Sequence, residues 1–152
     1  NMPILELVAR RTILETEALC APFLWPSLAL KEIRQVREST RGGMSHACEL
    51  ETSVYLYLDA GRVQMDKARK ETGQPASDFI WNDLTDAGPI RMMDYWTCFS
   101  KSGINGDPTL ASAEKGKIIF EAVVTNFVKF AREFKDRPRG ERVDYHKTAS
   151  GA

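Results

Sequence analysis

The chain has 152 residues, 43% of them hydrophobic and 28% charged, which suits one domain with a buried core and excludes global disorder. Twenty-one basic residues balance twenty-one acidic ones, so no net field favours nucleic acid or an anionic membrane as partner. No apolar run approaches the roughly 20 residues that span a bilayer, and no basic segment precedes an apolar secretory core; a soluble, cytoplasmic protein is the expectation.

Taken in order, Pro3 to about Glu17 places Ile4, Leu5, Val8, Ile13 and Leu14 mainly at helical spacing, an amphipathic helix. Ala18 to Trp25 is a short apolar run closed by Pro26 and reads as a buried strand. Leu28 to Ser39 carries Leu30, Ile33 and Val36 at helical spacing, and Gly42-Gly43 makes a turn. Ser45 is the expected cap of the next helix, whose stripe is Leu50, Val54, Tyr57 and Leu58. Glu71 to Gly88 reads as a long irregular connection, and Ile90 to Phe99, rich in methionine and aromatics, as a strand-like packing segment. Asp107 before Pro108 signals the start of a helix running to about Phe134, with Ile119, Ala122, Val123, Phe127 and Phe130 buried and Glu114, Lys115, Lys117, Glu121 and Lys129 in water. Residues 136–152 form a polar tail containing His146, expected to be mobile or draped on a partner. Cys20, Cys48 and Cys98 are odd in number and widely spaced, which favours reduced, packed thiols.

The chemistry-bearing stretch is Gly42 to Ser53, GGMSHACELETS, which puts one histidine and two carboxylates within six residues. His46 and Glu49 are three apart, so a helical turn would point both at one divalent cation or one polarised water. Glu51 lies roughly 200° from Glu49 around a helix and is read as a supporting hydrogen-bonding group. On pattern alone, a solvated histidine–glutamate pair is the commoner use of such residues.

These residues resemble a known signature. GGMSHACELETSVYLYLDAGRVQMDKA is similar to the His-Ala-Gly/Cys-Glu-x-Glu-Thr-Ser signature of the creatininase (creatinine amidohydrolase) family, and GDPTLASAEKG resembles that family's Gly-Asp-Pro-x-x-Ala-Ser-x-x-x-Gly segment. The opening NMPILELVARR resembles the family's helix directly after its Asn-Gly-His-Gly-Gly-Asn motif, with Asn1 as that motif's final asparagine, so the likeness covers residues 1 to about 134. It implies an α/β fold, a three-layer α/β/α sandwich with a mostly parallel sheet, of which residues 1–135 would be the C-terminal half. It also implies a site with two divalent ions (zinc, manganese or iron) hydrolysing a small cyclic amide or imide through a metal-bound hydroxide. On the resemblance, Glu49 looks like a metal ligand, His46 like the group that moves a proton or holds the oxyanion, and Glu51 and Thr52 brace the turn. Ser45 and Cys48 depart from commoner family residues, which leaves the substrate open. Trp25, Met44, Trp81 and Trp96 are candidates for an apolar wall, with core packing at least as good a use, and no substrate-binding residue is assigned.

The resemblance implies further ligands before Asn1. One imidazole and one carboxylate fall short of the three or four protein ligands of a held catalytic zinc. The expectation is therefore that the N-terminal half of the domain is a separate chain produced by cleavage, assembled in a homo-oligomer of such pairs. Rival readings are a non-catalytic structural or regulatory subunit, or a metal-dependent deformylase or lactonase on the same scaffold.

Overall fold

The computed structural model describes residues 2–73 and 77–146; Asn1, expected as the last residue of an upstream motif, and residues 147–152 of the expected tail lie outside these. By contacts the chain divides into two units, Asn1–Phe23 with Val128–Ala152, and Leu24–Phe127.

In the first unit α1 spans Met2–Glu15 and none of its residues is buried. An Arg11–Glu15 pair one turn apart (2.7 Å) supports it by a few tenths of a kcal/mol. Its end is capped from a distance. Arg139, in the stretch expected to be a tail, donates to the carbonyls of Ile13 and Thr16 at 2.7 and 2.6 Å and meets the Glu17 carboxylate at 2.8 Å. Residues 18–24 take no place in a strand. The run expected to be a buried strand finds no neighbouring ladder among the described residues, and Phe23 and Leu24 are exposed.

The second unit contains α2 (Leu30–Val36), β1 (Met44–His46), α3 (Glu49–Asp59), α4 (Trp96–Phe99) and β2 (Asn105–Gly106), and most of α5 (Ala113–Lys135). Its sheet is a two-stranded antiparallel ribbon, pairing Met44 with Gly106 and His46 with Asn105 across an irregularity. The mostly parallel sheet that was expected does not form among the described residues. Ile33, Met44, Leu50 and Ile119, one from each of α2, β1, α3 and α5, are fully buried with Ala29 and Cys48. Each large member contributes about 1.5–3 kcal/mol on leaving water. Trp25, Val54, Ala122 and Val123 flank this core, but Tyr57, Leu58 and Phe127, expected inside, are exposed.

The irregular connection is ordered by one carboxylate. Asp83 accepts both guanidinium nitrogens of Arg37 (3.0 and 2.6 Å), the Gly42 amide (2.9 Å) and the Thr85 amide (3.0 Å), which ties the loop to the turn before β1. Ile90 to Tyr95 is not a strand either. The segment ends in the single turn of α4.

Helix α5 starts later than expected. Asp107 accepts the Thr109 amide and caps only a short 3-10 turn, Pro108–Leu110. The Ser112 hydroxyl, which accepts the Lys115 amide at 3.3 Å, then caps α5. Along α5, Gly116 passes so close to α3 that a Cβ there would collide with the Ser53 carbonyl group.

Beside that crossing lies a half-buried ion pair. Lys115, expected in water, reaches inward and donates to Glu49 Oε1 at 2.7 Å, to Glu38 at 2.6 Å and to the Leu110 carbonyl at 2.7 Å. Glu49 is fully buried, and its carboxylate also accepts the amides of Glu38 (3.0 Å) and Ser39 (2.9 Å). Burial pushes the Glu49 carboxyl up, but the Lys115 ammonium, Ser39 and the two amides outweigh it and hold the group below its ordinary 4.5. A folded value below the unfolded one means that this stabilisation is complete above the ordinary value and is lost as pH falls through the folded one.

This packing makes two variants informative. Gly116→Ala should destabilise the fold by about 1–3 kcal/mol through overpacking, read as a lower urea midpoint at an unchanged slope. Glu49→Gln should cost about 1–3 kcal/mol at neutral pH, because the buried side chain loses its charge-assisted bonds to Lys115 and to the Glu38 and Ser39 amides while Lys115 keeps Glu38 and the Leu110 carbonyl. In melts taken from pH 7 to pH 3, the variant should also lack the part of the acid-induced loss of stability that Glu49 supplies.

Candidate active site around His46

The His46-to-Thr52 segment is built by a strand end, a reversal and a helix start. His46 ends β1 and is exposed, so it does not share a helical face with Glu49. The expectation that three-residue spacing brings them together fails because the helix begins only at Glu49, after Cys48 as N-cap. Ala47 between them has φ of +47°, a left-handed conformation rare for a residue with a Cβ. That reversal turns His46 and α3 in different directions.

Glu51 stabilises the reversal. Its Oε2 accepts the Ala47 amide at 2.6 Å and stands 3.9 Å from the Cys48 thiol. A carboxylate in the first turn reaching back to an amide ahead of the helix satisfies an orphan donor and complements the helix dipole. Ser45, the expected cap, makes no side-chain cap bond to α3. Cys48 is a core thiol. Burial, with the nearby Glu51 charge adding to it, pushes its pKa up to about 12 against weaker hydrogen-bond effects, so the thiolate needed for nucleophilic attack does not form at neutral pH.

The two glutamates thus part company. Glu49 points inward with both oxygens engaged, whereas Glu51 and Thr52 line an open hollow of about 380 Å³ together with His46, Tyr55, Arg62 and Gln64. Of the residues singled out in the sequence, the structure gathers His46, Glu51 and Thr52 and leaves Glu49 on the other side of α3. Tyr55, Arg62 and Gln64 were not singled out. Tyr55 lies one turn beyond Glu51, a spacing that offered a signal, while Arg62 and Gln64 arrive only through the turn that ends α3.

Trp96 stands edge-on to His46, with ring centroids 5.2 Å apart and planes at 86°. The other wall candidates are engaged elsewhere: Met44 in the core, Trp25 against it, and Trp81 beneath the Arg41 guanidinium at 4.4 Å with its indole N–H donated to the Asp86 carbonyl. Among the described residues no three His, Cys, Asp or Glu side chains converge as a metal-holding group. His46 and Glu51 together offer two donor side chains, fewer than a stably held catalytic ion needs.

Known proteins share this arrangement of sequence. The chain is 30% identical over 99 residues to the mycofactocin precursor peptide peptidase of Mycobacterium tuberculosis, in both strain CDC 1551 / Oshkosh and strain H37Rv. The match covers 65% of this chain and 36% of the relative, so the chain spans about a third of the curated relatives it matches. No solved structure matches it significantly. The family model for creatinine amidohydrolase matches residues 1–131, nearly the whole chain with the strand end, reversal and helix start around His46 included, and the chain therefore belongs to the creatininase family, whose fold is α/β and whose members are hydrolases.

Proposed function

We propose that this chain carries the proton-handling part of an amidohydrolase acting on a C–N bond of a small cyclic amide or imide. The observation that supports this most is the meeting of an exposed imidazole and a first-turn carboxylate in one open hollow, His46 with Glu51 beside Thr52. Glu51 here takes the place expected for Glu49. Releasing Glu49 toward a cation would break its bonds to Lys115 and to the Glu38 and Ser39 amides, whereas Glu51 already lines the hollow and gives one oxygen to Ala47.

Hydrolysis of an unactivated amide needs a proton taken from water and one delivered to the departing nitrogen. His46 brings to the hollow an imidazole whose ring nitrogens can accept and donate a proton. Thr52 offers a hydroxyl beside it. The described residues do not by themselves fit the divalent ions typical of the family, so we propose that the remaining donors lie in protein beyond these 152 residues, on a separate N-terminal chain, in a homo-oligomer of such pairs. A peptide substrate is the second reading. The peptidase activity for which the mycobacterial relative is named favours it, and Tyr55 and Arg62 in the open hollow suit the end of a peptide.

The test combines elemental analysis and intact mass of the native protein with hydrolysis of creatinine, a cyclic imide and short peptides. The proposal expects a divalent metal, a second polypeptide beside the 17.1 kDa species, and turnover. His46→Ala should keep metal and lose turnover by about 10²-fold or more. Glu51→Gln should lose metal, and Glu49→Gln should lose stability before metal. Metal loss specific to Glu49→Gln would return the ligand role to Glu49. A metal-free protein inert on every probe would leave the structural-subunit reading.

A further inference from the structure

Trp96 belongs to a segment that looks irregular and is nevertheless held from several sides. Within α4 it meets Phe99 edge-on, centroids 6.5 Å apart, and Phe99 is buried. The Phe99 backbone is pressed against Gly73, where a Cβ would overlap the Phe99 carbonyl group. Two residues before Gly73, the Glu71 carboxylate accepts the Lys101 amide and the Ser102 hydroxyl just beyond α4. Glu71 also exchanges backbone hydrogen bonds with Gly106 of β2 at 2.9 and 2.6 Å. Gly106 adjoins Asn105, the cross-strand partner of His46. The contacts close a ring from His46 through β2, Glu71, Gly73 and Phe99 to Trp96 and back to His46.

An aromatic at the end of such a ring is placed rather than adventitious. Trp96 remains 45% exposed, so burial alone gives little reason to hold it there. The contact is an edge-to-face one, a geometry worth about 0.5–1.5 kcal/mol beyond area burial, and it restricts how an otherwise exposed imidazole turns. We propose that Trp96 is a positioning residue for His46: its indole fixes the imidazole plane toward the hollow shared with Glu51. The reading of His46 as the proton-transfer group stands on the function proposed above, while the contact itself does not.

This chain has two histidines, and His146, which is exposed, supplies an internal reference. In the native protein, with ring signals assigned by His46→Ala and His146→Ala, the His46 ring protons should be displaced by the indole ring current and show cross-relaxation with Trp96. Trp96→Leu should abolish the displacement, leave His146 unmoved and raise the rate of diethyl pyrocarbonate modification of His46 several-fold. Trp96→Phe should restore most of both. His46 signals in the wild type without displacement or cross-relaxation, or unchanged in Trp96→Leu, would overturn the proposal, and the wild-type measurement decides it even where Trp96→Leu does not fold. Loss of both effects in Trp96→Leu with rescue in Trp96→Phe upholds it; a catalytically silent His46→Ala would count against the function reading alone.

Discussion

A buried carboxylate meeting a half-buried ammonium where three segments converge is the constraint on which this structure depends. Glu49 is the first residue of α3, Lys115 sits in the first turn of α5, and the amides of Glu38 and Ser39 belong to the turn leaving α2. One carboxylate therefore fixes two helix starts and a chain reversal. Ion pairs taken from water gain little over an apolar substitute, but losing one partner is expensive because the other charge stays behind. Glu49 and Lys115 therefore specify this arrangement more than they strengthen it.

The pair also accounts for how the hollow is built. With Glu49 anchored inside, the geometry of a helix sends Glu51 to another face, where it closes onto Ala47 and borders the hollow with His46. The inner carboxylate sets the rotation of α3 and the outer one faces the open hollow. Two glutamates that look equivalent in the string ELE thus divide into a buried anchor and a rim residue of the hollow. Gly116 completes the arrangement by letting α5 approach the Ser53 carbonyl closely enough for Lys115 to reach Glu49.

Much of this is legible in the sequence alone. The family is readable from HACELETS and GDPTLASAEKG, and α1, α2 and α5 from their apolar spacing, whereas spacing pairs His46 with Glu49 and sends Glu51 away from the hollow that it lines with His46 and Thr52. The surroundings of the two glutamates are not legible there, because periodicity assumes a helix through His46 and the left-handed Ala47 interrupts it. Lys115 is misplaced for a related reason: spacing identifies the outer face of α5 but cannot show that a long side chain folds inward to a carboxylate 66 residues away in sequence. The strands expected at Ala18–Trp25 and Ile90–Phe99 rest on composition, and a strand exists only where a neighbour completes its ladder.

Ala47 has one more consequence. A residue with a Cβ in the left-handed region costs roughly 1–2 kcal/mol, and the hydrogen bond from its amide to Glu51 offsets part of this. Glycine would sit there more comfortably, yet it would also open many other backbone directions to the peptide that aims His46. Alanine leaves that joint few alternatives, so intrinsic comfort has been exchanged for a narrow bearing of the imidazole that precedes it.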